Sequence, residues 1–171
     1  MKAQTWERVT HSFLPIYNED SKVLILGTAP SVKSRENNFY YGHPQNRFWR
    51  VLAQITAVTL PESVEEKKAF LLSKGIALYD VIESCDIQGS SDSSIRNVVP
   101  ADLSEIIQTA GRIPVLGNGG TAFRLYQKHQ YRQTGIPMIL LPSTSPANAA
   151  WNLQRLTDAW ESKLKPYLQN D

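Results

Sequence analysis

Four short apolar runs, each emptying into a loop and followed by a helical pattern, constrain this chain more than any other feature. They span Lys22 to Gly27, Ile76 to Ile82, Ile113 to Gly117 and Pro137 to Leu141. Each run is continuous rather than alternating, as strands covered on both faces read. Helical patterns fall between them, and alternation of strand and helix predicts a parallel sheet with helices on both sides. Strands that open into loops on one sheet edge build a pocket there.

The helical segments have recognisable signals. Pro44 opens one of them. Within it Phe48, Val51, Leu52 and Ile55 recur at helical spacing and form its core face, with Arg47, Arg50 and Gln54 on the other side. A second helix is expected over Pro61 to Ser73, stopped near Gly75. Shorter ones are expected over Asp102 to Ala110 and Gly119 to His129. The last is expected over Ser145 to Leu164, with Leu153, Leu156, Trp160 and Leu164 as one stripe. Ser31 to Asn38 reads as a polar loop, and Ser84 to Pro100 as a long serine-rich one. A loop of that length is commonly functional or mobile. There is no internal repeat or linker, so residues 1–171 read as a single domain.

Composition removes several classes. With 171 residues, 42% of them hydrophobic and 20% charged, the chain is long enough for a buried core and is neither disordered nor fibrous. A net charge of +2 is only mildly basic. Cys85 is the sole cysteine, which rules out an internal disulfide and a cysteine-based metal cluster and fits a reducing cytoplasm. His11, His43 and His129 lack metal-ligand spacing. No signal core or membrane-spanning stretch is present. No metal, cofactor or membrane partner is expected, and the chain is expected to be a monomer.

The chemistry-bearing residues lie in the loops. Gly27-Thr28-Ala29-Pro30-Ser31 follows the first strand, where glycine permits close approach to the backbone and proline stiffens the turn. Pro142-Ser143-Thr144-Ser145-Pro146-Ala147-Asn148 follows the last. There Ser145 reads as an N-cap and Pro146 as the first helical position, and a helix N-terminus beside three hydroxyls suits a phosphate. Phe39 to Trp49 is dense in aromatic, basic and amide groups. Tyr40 and Tyr41 cannot face the same way in an extended segment, so one packs while the other lines a pocket. Asn46, in the first turn of its helix, has an amide able to hold a water or a base edge. Asp80 lies at a strand end, whereas Asp86 and Asp92 read as turn formers. Asn118, in Gly117-Asn118-Gly119-Gly120, reads first as part of a tight turn with positive φ. Together these loops suggest a protein that grips a phosphate chain and handles a nucleobase.

Taken jointly, the motifs resemble the uracil-DNA glycosylase superfamily. Gly27 to Ser31 and Pro142 to Pro146 are similar to its first and second motifs. Tyr40-Tyr41-Gly42-His43-Pro44-Gln45-Asn46-Arg47-Phe48-Trp49, Ser90 to Asn97 and Ser143 to Asn148 resemble most closely the hypoxanthine-DNA (DNA-deoxyinosine) glycosylase branch. The resemblance spans roughly Lys22 to Trp160. It implies an α/β fold, three-layer αβα, with a central four-stranded parallel sheet, and one nucleotide flipped out of DNA into a pocket at the strand ends. It implies that Tyr41 stacks on the flipped base, that Ser143, Thr144 and Ser145 belong to the loop that pinches the DNA backbone, and that Asp80 reads the base edge. Asn118 and the backbone amides of Thr28 and Ala29 are further candidates for base binding. Relatives acting on uracil usually carry Asp or Asn at the position of Ala29, which cannot position water. In the hypoxanthine branch an asparagine further along supplies that function, and the matching residue is Asn46.

The expected reaction is therefore hydrolysis of the N-glycosidic bond of deoxyinosine in DNA, without strand cleavage and without a cofactor. Three other readings are a uracil-directed enzyme of the same fold, a lesion-binding module with little catalysis, and a hydrolase of small nucleotides.

Overall fold

The computed structural model describes residues 5–30, 32–37, 39–89 and 91–168. Ser31, Asn38 and Ser90 of the motifs above lie outside these residues. The four apolar runs form strands β2 (Val23–Gly27), β3 (Ile76–Asp80), β6 (Val115–Asn118) and β7 (Met138–Leu141). They pair in the order β3-β2-β6-β7, all parallel. Val23, Leu24, Ile25, Leu26, Ile76, Ala77 and Leu78 have no solvent exposure, which explains their uninterrupted apolar pattern.

Helices cover both faces of this sheet. They are α1 (Val32–Asn37), α2 (Phe48–Thr56), α3 (Val64–Lys74), α4 (Ser104–Ala110), α5 (Gly120–His129), α6 (Tyr131–Thr134) and α7 (Leu153–Leu164). The result is the expected three-layer αβα architecture. The apolar stripe of α2 is buried as its spacing predicts, with Phe48, Val51 and Leu52 at 0% exposure. Helix α3 starts where the Ser63 Oγ accepts the Glu66 amide at 3.0 Å and stops at Gly75 in the left-handed conformation, φ 76°.

Several expectations are corrected. A second, antiparallel sheet of order β1-β4-β5 is built from β1 (Trp6–Thr10), β4 (Ile82–Gln88) and β5 (Arg96–Pro100). The segment 84–100 is thus mainly a hairpin closed by a short turn at Asp92–Ser94, not a loop. Asp86 sits in β4, where it accepts from Asn97 Nδ2 at 2.7 Å and pairs with Arg8 at 3.3 Å. The expected polar loop 31–38 contains α1. Only one residue, Val81, separates β3 from β4, so the chain passes directly from one sheet to the other. That junction is held by Gln130, whose buried side-chain amide donates to the carbonyls of Val81 (3.1 Å) and Ala101 (2.8 Å).

The last helix also begins later than expected. Helix α7 starts at Leu153, where Asn152 Oδ1 accepts the Arg155 amide at 2.8 Å. Ser145 and Pro146 lie in a turn, so the last helix does not begin at the three hydroxyls. No helix among the described residues is long and apolar enough to cross a membrane.

Candidate active site

A cavity of about 410 Å³ opens at the carboxyl ends of β2, β3 and β6, within the size range of small-molecule sites. Thr28, Ala29, Tyr41, Asn46, Asp80, Asn118, Ser143, Thr144 and Ser145 all line it. Topology brings them together. Parallel strands end on one edge, so Gly27 pairs with Asp80 in register, and β6 delivers Asn118 beside them.

The floor is acidic and phenolic. Asp80 is 3% exposed. Its Oδ2 accepts from His11 Nε2 at 2.8 Å, while its Oδ1 makes no hydrogen bond to any described residue. Gly27 is required here by close approach. A Cβ on Gly27 would lie 2.5 Å from Asp80 Oδ1 and 2.7 Å from the Tyr41 hydroxyl. Tyr41 takes a left-handed φ of 54°, strain of about 1–3 kcal/mol for a bulky residue. Its ring stacks on Phe48 with centroids 4.1 Å apart and planes at 22°. Its neighbour Tyr40 packs in the core and donates to the Leu14 carbonyl at 2.9 Å, so the two tyrosines do face different ways. Burial and the nearby Asp80 charge push the Tyr41 phenol well above its usual pKa, and the Asn118 amide opposes them. Tyr41 therefore stays neutral. Its hydroxyl is buried without a well-formed hydrogen bond among the described residues.

One wall is a hydrogen-bonded relay. Asn118 Oδ1 accepts the Thr144 amide at 3.0 Å, and Asn118 Nδ2 donates to Thr144 Oγ1 at 3.0 Å. Thr144 Oγ1 then donates to Asn46 Oδ1 at 2.9 Å. The Phe48 backbone N–H donates to the same Asn46 oxygen at 3.0 Å. Asn46 therefore precedes α2 rather than lying within its first turn. A backbone N–H can only donate, which identifies the bonded Asn46 atom as oxygen. Both lone pairs of that carbonyl are occupied by the protein. What Asn46 has left to offer is its amino group, a donor without acceptor capacity.

Thr144 is corrected in role. It has 0% exposure, and its hydroxyl and amide are both consumed by the relay, so it braces the wall and is not free to meet a phosphate. Ser143 and Ser145 are half-buried at the rim. Ser143 Oγ accepts the Ser145 amide at 3.1 Å, and Ser145 Oγ accepts the Ala147 amide at 3.1 Å, giving two consecutive serine turns. Arg47 holds this loop from beneath, donating to the carbonyls of Ser145 (2.8 Å), Asn148 (3.3 Å) and Trp151. It was expected on the polar face of a helix. Asn118 ends β6, and Gly119 takes the positive φ of 99° expected at the turn. His43 also lines the cavity, with Nδ1 accepting the Gln45 amide at 3.1 Å. Among the described residues no three His, Cys, Asp or Glu side chains gather as a metal site.

A cleft of this composition, at the carboxyl edge of a four-stranded parallel sheet and rimmed by a serine loop, has close counterparts. The family model of the uracil DNA glycosylase superfamily matches residues 14–169, and this chain belongs to that superfamily. Two curated relatives narrow the comparison. The chain is 30% identical over 155 residues to the hypoxanthine DNA glycosylase of Methanosarcina acetivorans, covering 90% of this chain and 97% of that one. It is 28% identical over 154 residues to the hypoxanthine DNA glycosylase of Methanosarcina barkeri, covering 90% and 96%. Among solved structures it resembles the solution NMR structure of a protein described as a uracil DNA glycosylase from Methanosarcina acetivorans. That match has a TM-score of 0.75 and 30% identity, and covers 88% of this chain and 92% of that one.

Proposed function

We propose that this protein is a monofunctional DNA glycosylase, acting as a monomer, that removes deaminated bases, chiefly hypoxanthine from deoxyinosine. The observation that carries this reading is the convergence of Tyr41, Asn46, Asp80 and the Ser143–Ser145 loop on one cavity at the mouth of the sheet. The names of the two curated relatives support hypoxanthine as the base.

The target nucleotide leaves the stack and its base enters the cavity, against the Tyr41 ring that Phe48 backs. Asp80 meets the base edge, and Asn118 and the backbone at Thr28 and Ala29 complete the enclosure. Ser143 and Ser145 hold the DNA backbone at the rim. The bond between C1′ and the base nitrogen then breaks, and its electron pair leaves with the base. The sugar becomes an oxocarbenium ion, a water oxygen bonds to C1′ and releases a proton, and the base takes up a proton. Free base and an abasic site result. Asn46 donates an amide N–H to an acceptor on the departing purine, which spreads the negative charge it acquires. Its carbonyl, already accepting twice, does not activate the water. None of these steps needs a Schiff base or strand cleavage.

Two substitutions test the assignment on a duplex containing one deoxyinosine. Asn46→Ala is expected to lower base release by about 100-fold or more while DNA affinity stays near its native value. Asn46→Asp keeps an acceptor for Phe48 and Thr144 but replaces the donor with a second acceptor, and it is expected to be equally inactive. An active Asn46→Asp protein would reassign Asn46 to water activation.

A further inference from the structure

His11 is an expensive residue to place where it stands. Its side chain has no solvent exposure. Its ring is enclosed by Phe13 at 4.5 Å, Tyr79 at 4.6 Å and Tyr40 at 5.8 Å between centroids. Nδ1 is buried with no partner among the described residues. A phenyl ring would fill such an aromatic cage without stranding a polar nitrogen, whose burial is unfavourable. What the imidazole adds is the 2.8 Å bond from Nε2 to Asp80 Oδ2. That bond engages one oxygen of the carboxylate and leaves Oδ1 beside Gly27 and Tyr41.

We infer that His11 is a positioning residue for base selection: it fixes Asp80 as an acceptor aimed at the ring N–H that deamination creates. The inference rests on the glycosylase reading above. Adenine N1 and cytosine N3 carry lone pairs, whereas hypoxanthine N1 and uracil N3 carry hydrogens. An ionised carboxylate accepts and cannot donate. Opposite an N–H it gains a charge-assisted hydrogen bond. Opposite a lone pair it leaves two acceptors facing each other, and a buried polar group without its partner is strongly selective. The His11–Asp80 pair thus separates adenine and cytosine from their deamination products by hydrogen-bond polarity. Guanine N1 also carries a hydrogen, so its exclusion falls to other parts of the cavity.

The test compares two duplexes, one containing 2′-deoxyinosine and the other 1-methyl-2′-deoxyinosine, in which a methyl group replaces the N1 hydrogen. The native protein is expected to favour deoxyinosine by at least about 100-fold in kcat/KM. His11→Phe, which suits the aromatic cage, is expected to lower kcat/KM for deoxyinosine by about 10- to 100-fold and to leave the methylated duplex unchanged. His11→Gln, which can still donate to Asp80, is expected to preserve most of the preference. Should His11→Phe fail to fold, Asp80→Asn takes its place. His11 would hold the amide oxygen and turn the NH₂ group to the cavity, again with loss on deoxyinosine alone. Equal losses on both duplexes would reduce His11 to a packing residue, and no loss on either would remove its role. A native protein indifferent to the methyl group would show that Asp80 does not read this hydrogen. A native protein that releases no base from deoxyinosine would overturn the glycosylase reading itself, and the role of His11 with it.

Discussion

Two oxygens crowd the space that a Cβ on Gly27 would take, and neither can yield easily. Asp80 is short and tied to His11, and the Tyr41 ring is stacked on Phe48. Gly27→Ala is therefore expected to lower base release by on the order of 100-fold, with a stability loss of about 1–3 kcal/mol from overpacking. Base-release assays beside thermal unfolding separate the two effects. Unimpaired release would show that the floor has room that the 2.5 Å and 2.7 Å approaches deny. Tyr41, Asn46 and Asp80 are legible in sequence because each sits in a motif beside a strand end or a helix. His11 is not. Its partner is 69 positions away, and a lone histidine at the end of a polar strand carries no periodic mark. The orientation of the Asn46 amide is equally illegible, since it depends on Thr144 across 98 positions.

At the level of elements, the parallel strands are legible because burial on both faces makes them continuously apolar. Strand β1 is hidden because only Val9 of its five residues is buried. The hairpin of β4 and β5 is masked by serines and by irregular register between the strands. The last loop misleads for a different reason. Ser145-Pro146 has the local chemistry of a helix start, yet Arg47 takes the carbonyls of Ser145, Asn148 and Trp151 and holds the chain in a turn until Asn152 caps α7. Arg47→Lys keeps the charge and loses the fork that reaches several carbonyls at once. It is expected to weaken DNA binding and raise KM about tenfold or more, with a smaller effect on kcat, measurable by steady-state kinetics on the deoxyinosine duplex. Ser145→Glu is expected to weaken binding to every duplex regardless of its base, through repulsion at the phosphate. Unchanged affinity would place the DNA backbone elsewhere.

Across the whole molecule the two sheets meet at Val81, so the wall that holds His11 and the strand that ends in Asp80 are set by one short junction. A net charge of +2 says little about a polyanionic partner, and under the proposed function the contact falls instead to the rim formed by Ser143 and Ser145. Even so, phosphate contacts release counterions, and affinity for duplex DNA is expected to fall on the order of tenfold to a hundredfold between 50 and 200 mM salt. The most direct measurement uses matched duplexes carrying a single deoxyinosine, deoxyuridine, deoxyxanthosine or unmodified deoxyadenosine. Free base is quantified, and the strands are then treated with alkali. Hypoxanthine release, with strand scission at the deoxyinosine only after alkali, is the predicted result. Tight binding to that duplex with neither free base nor an alkali-labile site would contradict it.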